Sequence, residues 1–299
     1  MKQKKYIFGI GGFDGVHLGH RELLSMVVTR AHALCATPAV ITFEPLPAQF
    51  KRPIATPFRI TTEQERAQII GSLGIEEIIT MKFDRTLMQL TPQQFVTVLA
   101  KKFPIQEIVV GPNFRFGRER HGTPHDIAGI GNTAGFSTFL VPVYKYRGDP
   151  ISSTRIRSQI SAGKIKYASH LMGRNYSILG DVEKGRGFGQ KLGFPTINVH
   201  APAEKLLPQG VFAGYTYLNN KMYNTIIYIG RRPSFERRGK IKIEAHVISQ
   251  NASFKAVRVG QSVAIYLVQK LRNERLFASV PALKRQIVRD ICRARRLLT

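Results

Sequence analysis

The sequence predicts an α/β first half with a mostly parallel sheet, followed by a small antiparallel β-barrel closed off by a terminal helix. Three observations carry this prediction. Up to about residue 173, short apolar runs alternate with capped segments of helical length. From Tyr176 onward the runs become short, β-branched and punctuated by glycine. At the end of the chain Leu283, Ile287 and Ile291 recur at i, i+4 and i+8, an apolar stripe that lets one helix dock on the barrel. The domains are therefore placed at 1–173 and 174–299.

In chain order, residues 6–10 read as a first strand that breaks into Gly11-Gly12-Phe13-Asp14-Gly15. His17 and His20 follow, at the mouth of a helix predicted to continue through Arg30. Glycines let a backbone approach a polyphosphate, and a helix start offers unpaired N–H groups at its positive end. Two imidazoles three residues apart can both donate to one phosphate, an arrangement suited to nucleotidyl transfer. A structural zinc site would want four ligands, and the only cysteines, Cys35 and Cys292, stand far away. The run Gly9-x-Gly11-x-x-Asp14 lacks the third glycine of the dinucleotide-binding template.

The next strand, 39–43, ends at Glu44-Pro45-Leu46-Pro47, where prolines stop it. Thr62 with Glu65 predicts a capping box, and Thr91-Pro92 a second helix start running to about Phe103. Strands are expected over 76–80, 105–110 and 136–143. Gly111-Pro112-Asn113-Phe114-Arg115-Phe116-Gly117 follows one of them, at the end where parallel sheets gather ligands. Ser153 or Thr154 caps a further helix, and Arg155 and Arg157 close to its positive end hint at an anion between them. A last short helix is expected over 166–174, and barrel strands over 177–182, 211–218, 224–229, 240–248 and 262–267.

Within the second half, Gly185 to Asn198 is glycine-rich but is neither a Walker loop, lacking Gly-Lys-Ser/Thr, nor a protein-kinase glycine loop. In 240–247 apolar and polar residues alternate strictly, which predicts Ile241, Ile243, Ala245 and Val247 on a buried face and Glu244 with His246 on the other.

Composition narrows the class. The chain has 299 residues, enough for two cores, and no apolar run long enough to cross a bilayer. Lys2, Lys4 and Lys5 precede a short apolar stretch, but Asp14 and glycines interrupt it, so it reads as a strand and not as a signal peptide. Two cysteines make no disulfide framework, and a reducing, cytoplasmic setting is expected. The net charge is +26, with 22 basic and 12 acidic residues in 1–173 and 23 basic and 7 acidic in 174–299. That excess attracts polyanions, so a basic nucleic-acid-binding protein is the rival to an enzyme. The basic residues are dispersed apart from Arg231-Arg232, Arg237-Arg238-Gly239-Lys240 and the tail Arg293-Ala294-Arg295-Arg296.

The string Gly12-Phe13-Asp14-Gly15-Val16-His17-Leu18-Gly19-His20 resembles the nucleotidyltransferase signature of the bifunctional bacterial riboflavin kinase/FMN adenylyltransferase (FAD synthetase) family, and the resemblance recurs along nearly the whole chain. It implies a Rossmann-like nucleotidyltransferase domain followed by a riboflavin kinase barrel. Catalysis would fall to His17 and His20, and ATP binding to Gly12, Phe13, Asp14, Gly19, Asn113, Ser153, Thr154 and Arg155. The stretch Gly193-Phe194-Pro195-Thr196-Ile197-Asn198 resembles the family's kinase signature, with Ile197 in place of alanine. The resemblance implies Mg²⁺ held by Thr196 and Asn198, ATP beside Gly187 and Gly193, and Glu244 as the base for the riboflavin hydroxyl. ATP, riboflavin, FMN and FAD are then substrates or products. Two departures stand out: Leu46 occupies a place where the family usually has histidine, and 249–255 lacks the family's acidic residues and glycine.

Overall fold

The computed structural model describes residues 4–50, 57–185, 187–231, 241–248 and 257–298. The expectations for Lys2, for the basic cluster at 232 and 237–240 and for 249–255 lie outside these residues. The chain forms two compact units, one of residues 1–56 and 62–153, the other of residues 57–61 and 154–299.

The first unit contains β1 (Tyr6–Ile10), α1 (Leu18–Ala33), β2 (Thr37–Glu44), α2 (Glu63–Gly71), β3 (Glu77–Lys82), α3 (Arg85–Gln89), α4 (Pro92–Lys102), β4 (Ile105–Val110), α5 (Pro124–Ala134) and β5 (Ser137–Leu140), then a small hairpin of β6 (Lys145–Tyr146) and β7 (Asp149–Pro150). Its sheet is wholly parallel, in the order β3-β2-β1-β4-β5. Alternation along each strand sends side chains to two separate cores. Phe8, Ile41, Ile108 and Val110 meet Phe95 and Leu99 of α4 on one face, while Ile7, Val40 and Val109 meet Leu24 and Val27 of α1 on the other. Both faces are covered, as a parallel sheet requires. The capping boxes at Thr62/Glu65 and Thr91/Gln94 are formed, and a third at Thr123/Asp126 starts α5, a helix the apolar pattern had not announced. β5 stops at Leu140, short of the predicted 143, because Pro142 has no N–H for the ladder.

The second unit holds α6 (Ser153–Ser161, whose first residue closes the first unit), α7 (Ile165–Met172), β8 (Tyr176–Glu183), α8 (Phe188–Leu192), β9 (Ile197–His200), β10 (Gly210–Leu218), β11 (Lys221–Gly230), β12 (Lys242–Val247), β13 (Ser262–Arg272) and α9 (Val280–Leu298). Six of its strands close an antiparallel barrel in the order β10-β11-β12-β9-β8-β13. Phe212, Ile227, Ala245 and Ile197 stand opposite one another in the ladder and are buried in its interior. α9 packs on the outside, where Ala294 and Leu298 are buried against Val211, Ala213 and Leu271. Residues 57–61 complete this unit: Lys205, 1% exposed, donates from Nζ to the Ile60 carbonyl at 2.7 Å, and Arg157 donates to the Phe58 carbonyl at 3.1 Å. No helix among the described residues is long and apolar enough to cross a membrane.

Candidate active sites

In the first unit, β1 feeds straight into the glycine stretch, and α1 begins one residue after His17. His17 is the N-cap, and its Nδ1 accepts the backbone N–H of His20 at 3.2 Å. With Nδ1 accepting that N–H, the proton of the neutral ring sits on Nε2. The two imidazoles stack with centroids 3.6 Å apart. Phe13 is buried and meets His20 edge-on at 5.2 Å, so it supports a ring and offers a ligand no polar group. Gly19 lies against the His17 ring: a Cβ there would come within 3.4 Å of Cε1 and Nδ1. Asp14 is buried, and its carbonyl accepts the Ser153 hydroxyl at 2.8 Å, tying the start of α6 to the glycine loop across 139 residues of sequence.

Thr154 and Arg155 follow Ser153 in α6. Thr154 is exposed, and Arg155 donates to the Tyr167 hydroxyl of α7 within the second unit. Asn113 is exposed on the turn after β4. Leu46 is 2% exposed and approaches Gly12, where a Cβ would lie 3.4 Å from its Cδ2. The departure from histidine is thus an apolar plug beside the glycine loop.

Sequence reasoning missed two features here. Arg66 of α2 is 1% exposed, and its guanidinium donates to Glu44 Oε2 and to the Gly12 carbonyl, both at 3.2 Å. It clamps the end of β2 to the glycine loop. Arg66→Met is expected to lower the first unit's stability by about 2–3 kcal/mol, the worth of hydrogen bonds to charged groups, and to cut FAD formation while sparing FMN formation. An unchanged thermal midpoint would remove the clamp from the account.

The second feature is a cavity of about 510 Å³ walled by Phe50, Phe83, Phe114 and Phe116, with Arg115 and Arg118 at its edge. Phe50 meets Phe83 edge-on at 5.3 Å, and Phe114 stacks on Phe116 at 5.6 Å. Such walls accept a flat ring and the arginines an anion. These aromatics follow the carboxyl ends of β2, β3 and β4, a sequence signal available without coordinates.

In the second unit, Val211, Tyr228, Glu244 and Asn198 form one row across four strands, on the barrel's outer face. Glu244 and Asn198 are direct cross-strand partners, so their Cβ atoms lie about 5 Å apart. Thr196 immediately precedes β9 and lines the same cavity as Glu244. His246 donates from Nδ1 to the Pro195 carbonyl, 2.8 Å away, and its ring meets Phe194 edge-on. Ile243, Ala245 and Val247 are buried as the alternation predicts, and Glu244 with His246 faces a cavity of about 490 Å³ covered by α8 and α9. Leu283 and Ile287 of the predicted stripe line this cavity, together with Arg275 and Phe277, which the sequence had not singled out. Tyr228, in the same wall, donates its hydroxyl to Glu274.

Gly187 and Gly193 bracket α8 with φ of +70° and +85°. Both hold the left-handed conformation that lets a five-residue helix sit between two sharp turns. The donor set beside them, a hydroxyl, an amide oxygen and a carboxylate, is all oxygen, which fits a hard cation such as Mg²⁺ that keeps water and phosphate oxygens as its other ligands.

Residues 1–155 match the FAD synthetase family model, and residues 172–298 match that of riboflavin kinase. The bifunctional riboflavin kinase/FMN adenylyltransferase of Buchnera aphidicola from Acyrthosiphon pisum is 35% identical, over 94% of this chain and 90% of its own. Its namesake in Escherichia coli K12 is 31% identical over 98% and 93%. A crystal structure from Streptococcus pneumoniae, described as a macrolide-efflux protein, superposes with a TM-score of 0.87 at 26% identity, covering 99% of this chain and 95% of that one. The chain belongs to the bifunctional riboflavin kinase/FMN adenylyltransferase family, enzymes of flavin cofactor biosynthesis.

Proposed function

We propose that the two steps of flavin cofactor synthesis are divided between the halves 174–299 and 1–173. In the barrel half, Glu244 takes the proton of the riboflavin 5′-hydroxyl as its oxygen attacks the γ-phosphorus of ATP. The bond from that phosphorus to the β-phosphate oxygen breaks, giving FMN and ADP. A carboxylate within reach of the attacking hydroxyl suits this task, and positioning supplies most of the remaining acceleration. Thr196 and Asn198 would hold Mg²⁺, which supplies charge neutralisation at the ATP phosphates. Gly187 and Gly193 shape the α8 turn against the nucleotide, and the flavin ring takes the cavity under α9.

In the N-terminal half, an FMN phosphate oxygen attacks the α-phosphorus of a second ATP, and pyrophosphate leaves with FAD as product. His17 donates from Nε2 to the reacting phosphate, with His20 stacked beside it as second donor. Gly12, Asp14 and Gly19 bring the backbone and the start of α1 to the phosphates, with Phe13 beneath. Ser153, Thr154 and Arg155 grip the leaving pyrophosphate, and Asn113 borders the adenosine. The phenylalanine-walled cavity is where we place the FMN ring, with Arg115 and Arg118 toward its phosphate.

The observation that supports this reading is that the first unit holds the stacked His17/His20 pair and a ring-sized cavity, while the second holds Glu244 opposite Asn198 and a ring-sized cavity of its own. Both cysteines are free and exposed, which suits the reducing cytoplasm as the setting. The test is direct. Purified chain with riboflavin, ATP and Mg²⁺ should give FMN and then FAD on a chromatogram, and a chelator should stop both steps. If neither flavin appears, the assignment is wrong; FMN without FAD confines the failure to the N-terminal half.

A further inference from the structure

One face of α9 takes no part in the flavin chemistry. The helix carries Lys284, Arg285, Arg289, Arg293, Arg295 and Arg296 against a single acid, Asp290. That acid is turned inward: it is 5% exposed and accepts Arg272 Nε at 2.9 Å and Gln286 Nε2 at 2.7 Å. Arg293 and Arg295 also donate inward, to the carbonyls of Leu271 at 2.8 Å and Ile248 at 3.3 Å. Lys284, Arg285, Arg289 and Arg296 remain exposed, with no acidic partner among the described residues.

At about 100° per residue, Arg285, Arg289 and Arg296 fall within roughly 40° of arc and span about 16 Å of helix axis. Lys284 lies about 100° to one side, and Pro281, Val288, Cys292 and Arg295 lie between it and Arg285. The helix dipole accounts for cations in the last turn, but Lys284 and Arg285 stand near the positive end and gain nothing from it. A cationic row without an interspersed acid complements a regular row of phosphates.

We propose that this face of α9 binds the phosphate backbone of double-stranded nucleic acid, without regard to sequence. An unpaired strand would want aromatic platforms for its bases, and the exposed arc has none. A membrane surface would want the helix's apolar side, which is packed on the barrel through Ile291, Ala294 and Leu298. Arginine is always ionised and offers a phosphate a fixed positive charge, and the net charge of +26 adds long-range attraction.

The experiment follows binding of the full-length chain to a fluorescein-labelled duplex by anisotropy across a salt series. Wild type should bind at about 0.15 M salt, with log affinity falling linearly in log salt. R285E/R289E/R296E should bind about tenfold or more weakly, with a salt slope smaller by about three. K101E/K102E/K221E, the same charge change at exposed lysines elsewhere, should lose less than about threefold. R285K/R289K/R296K should bind within about threefold of wild type, because the charges are kept. Production of FAD by every variant reports that the fold is intact. Equal losses in the two Glu triples, a loss in the Lys triple like that in its Glu counterpart, absent wild-type binding at that salt, or tighter binding to the single strand or to anionic vesicles would each overturn the proposal.

Discussion

Replacing Glu244 by glutamine is expected to stop riboflavin phosphorylation, with kcat down about 10²–10⁴-fold, while FAD formation from supplied FMN continues at the wild-type rate. The substitution keeps the shape of the side chain and its place opposite Asn198 but removes the proton acceptor. The expected loss is in kcat, since a group that acts in the transition state leaves ground-state binding nearly untouched. Separate assays with riboflavin and with FMN decide it. Loss of both steps would argue against two sites, and a kcat within severalfold of wild type would take the base role from Glu244.

The second large effect is expected at His17. Because this residue caps α1 as well as facing the loop, His17→Asn is the informative change: asparagine caps a helix as well as any residue and has no donor at the place of Nε2. FMN adenylylation should fall about 10²–10³-fold, the usual cost of one lost donor to developing phosphate or oxyanion charge. FMN formation and the thermal midpoint should not move. His17→Ala should add a stability loss of about 1 kcal/mol from the missing cap. If His17→Asn makes FAD at the wild-type rate, the paired imidazoles are structural and the chemistry of this unit must be sought elsewhere.

What could be read from the sequence was whatever is written locally. The capping box at Thr62/Glu65 is complete within four residues and the helix start at Thr91-Pro92 within two, and both are formed. The alternation around Glu244 states its own faces, and the barrel ladder keeps them. β9 went unread as a strand because its four residues trail a glycine-rich loop and are too few to display a period. β13 runs to Arg272, beyond the expected 267, because Gln269 and Lys270 still pair with β10 despite their polarity. The phenylalanine cavity draws on residues from 43 to 120, so no window of sequence contains it. Arg66 looked like one more cation of a basic chain; only the fold reveals that it is buried between Glu44 and Gly12.

Residues 57–61 run with the barrel although they precede most of the parallel sheet in the chain. A gene divided at any one point can therefore never yield the two bodies intact. A fragment from 154 onward leaves the Lys205 ammonium without the Ile60 carbonyl, and a fragment up to 153 drags a short tether whose proper neighbours were discarded. The chain passes from one unit to the other three times, after 56, 61 and 153, so no single cut separates the two catalysts.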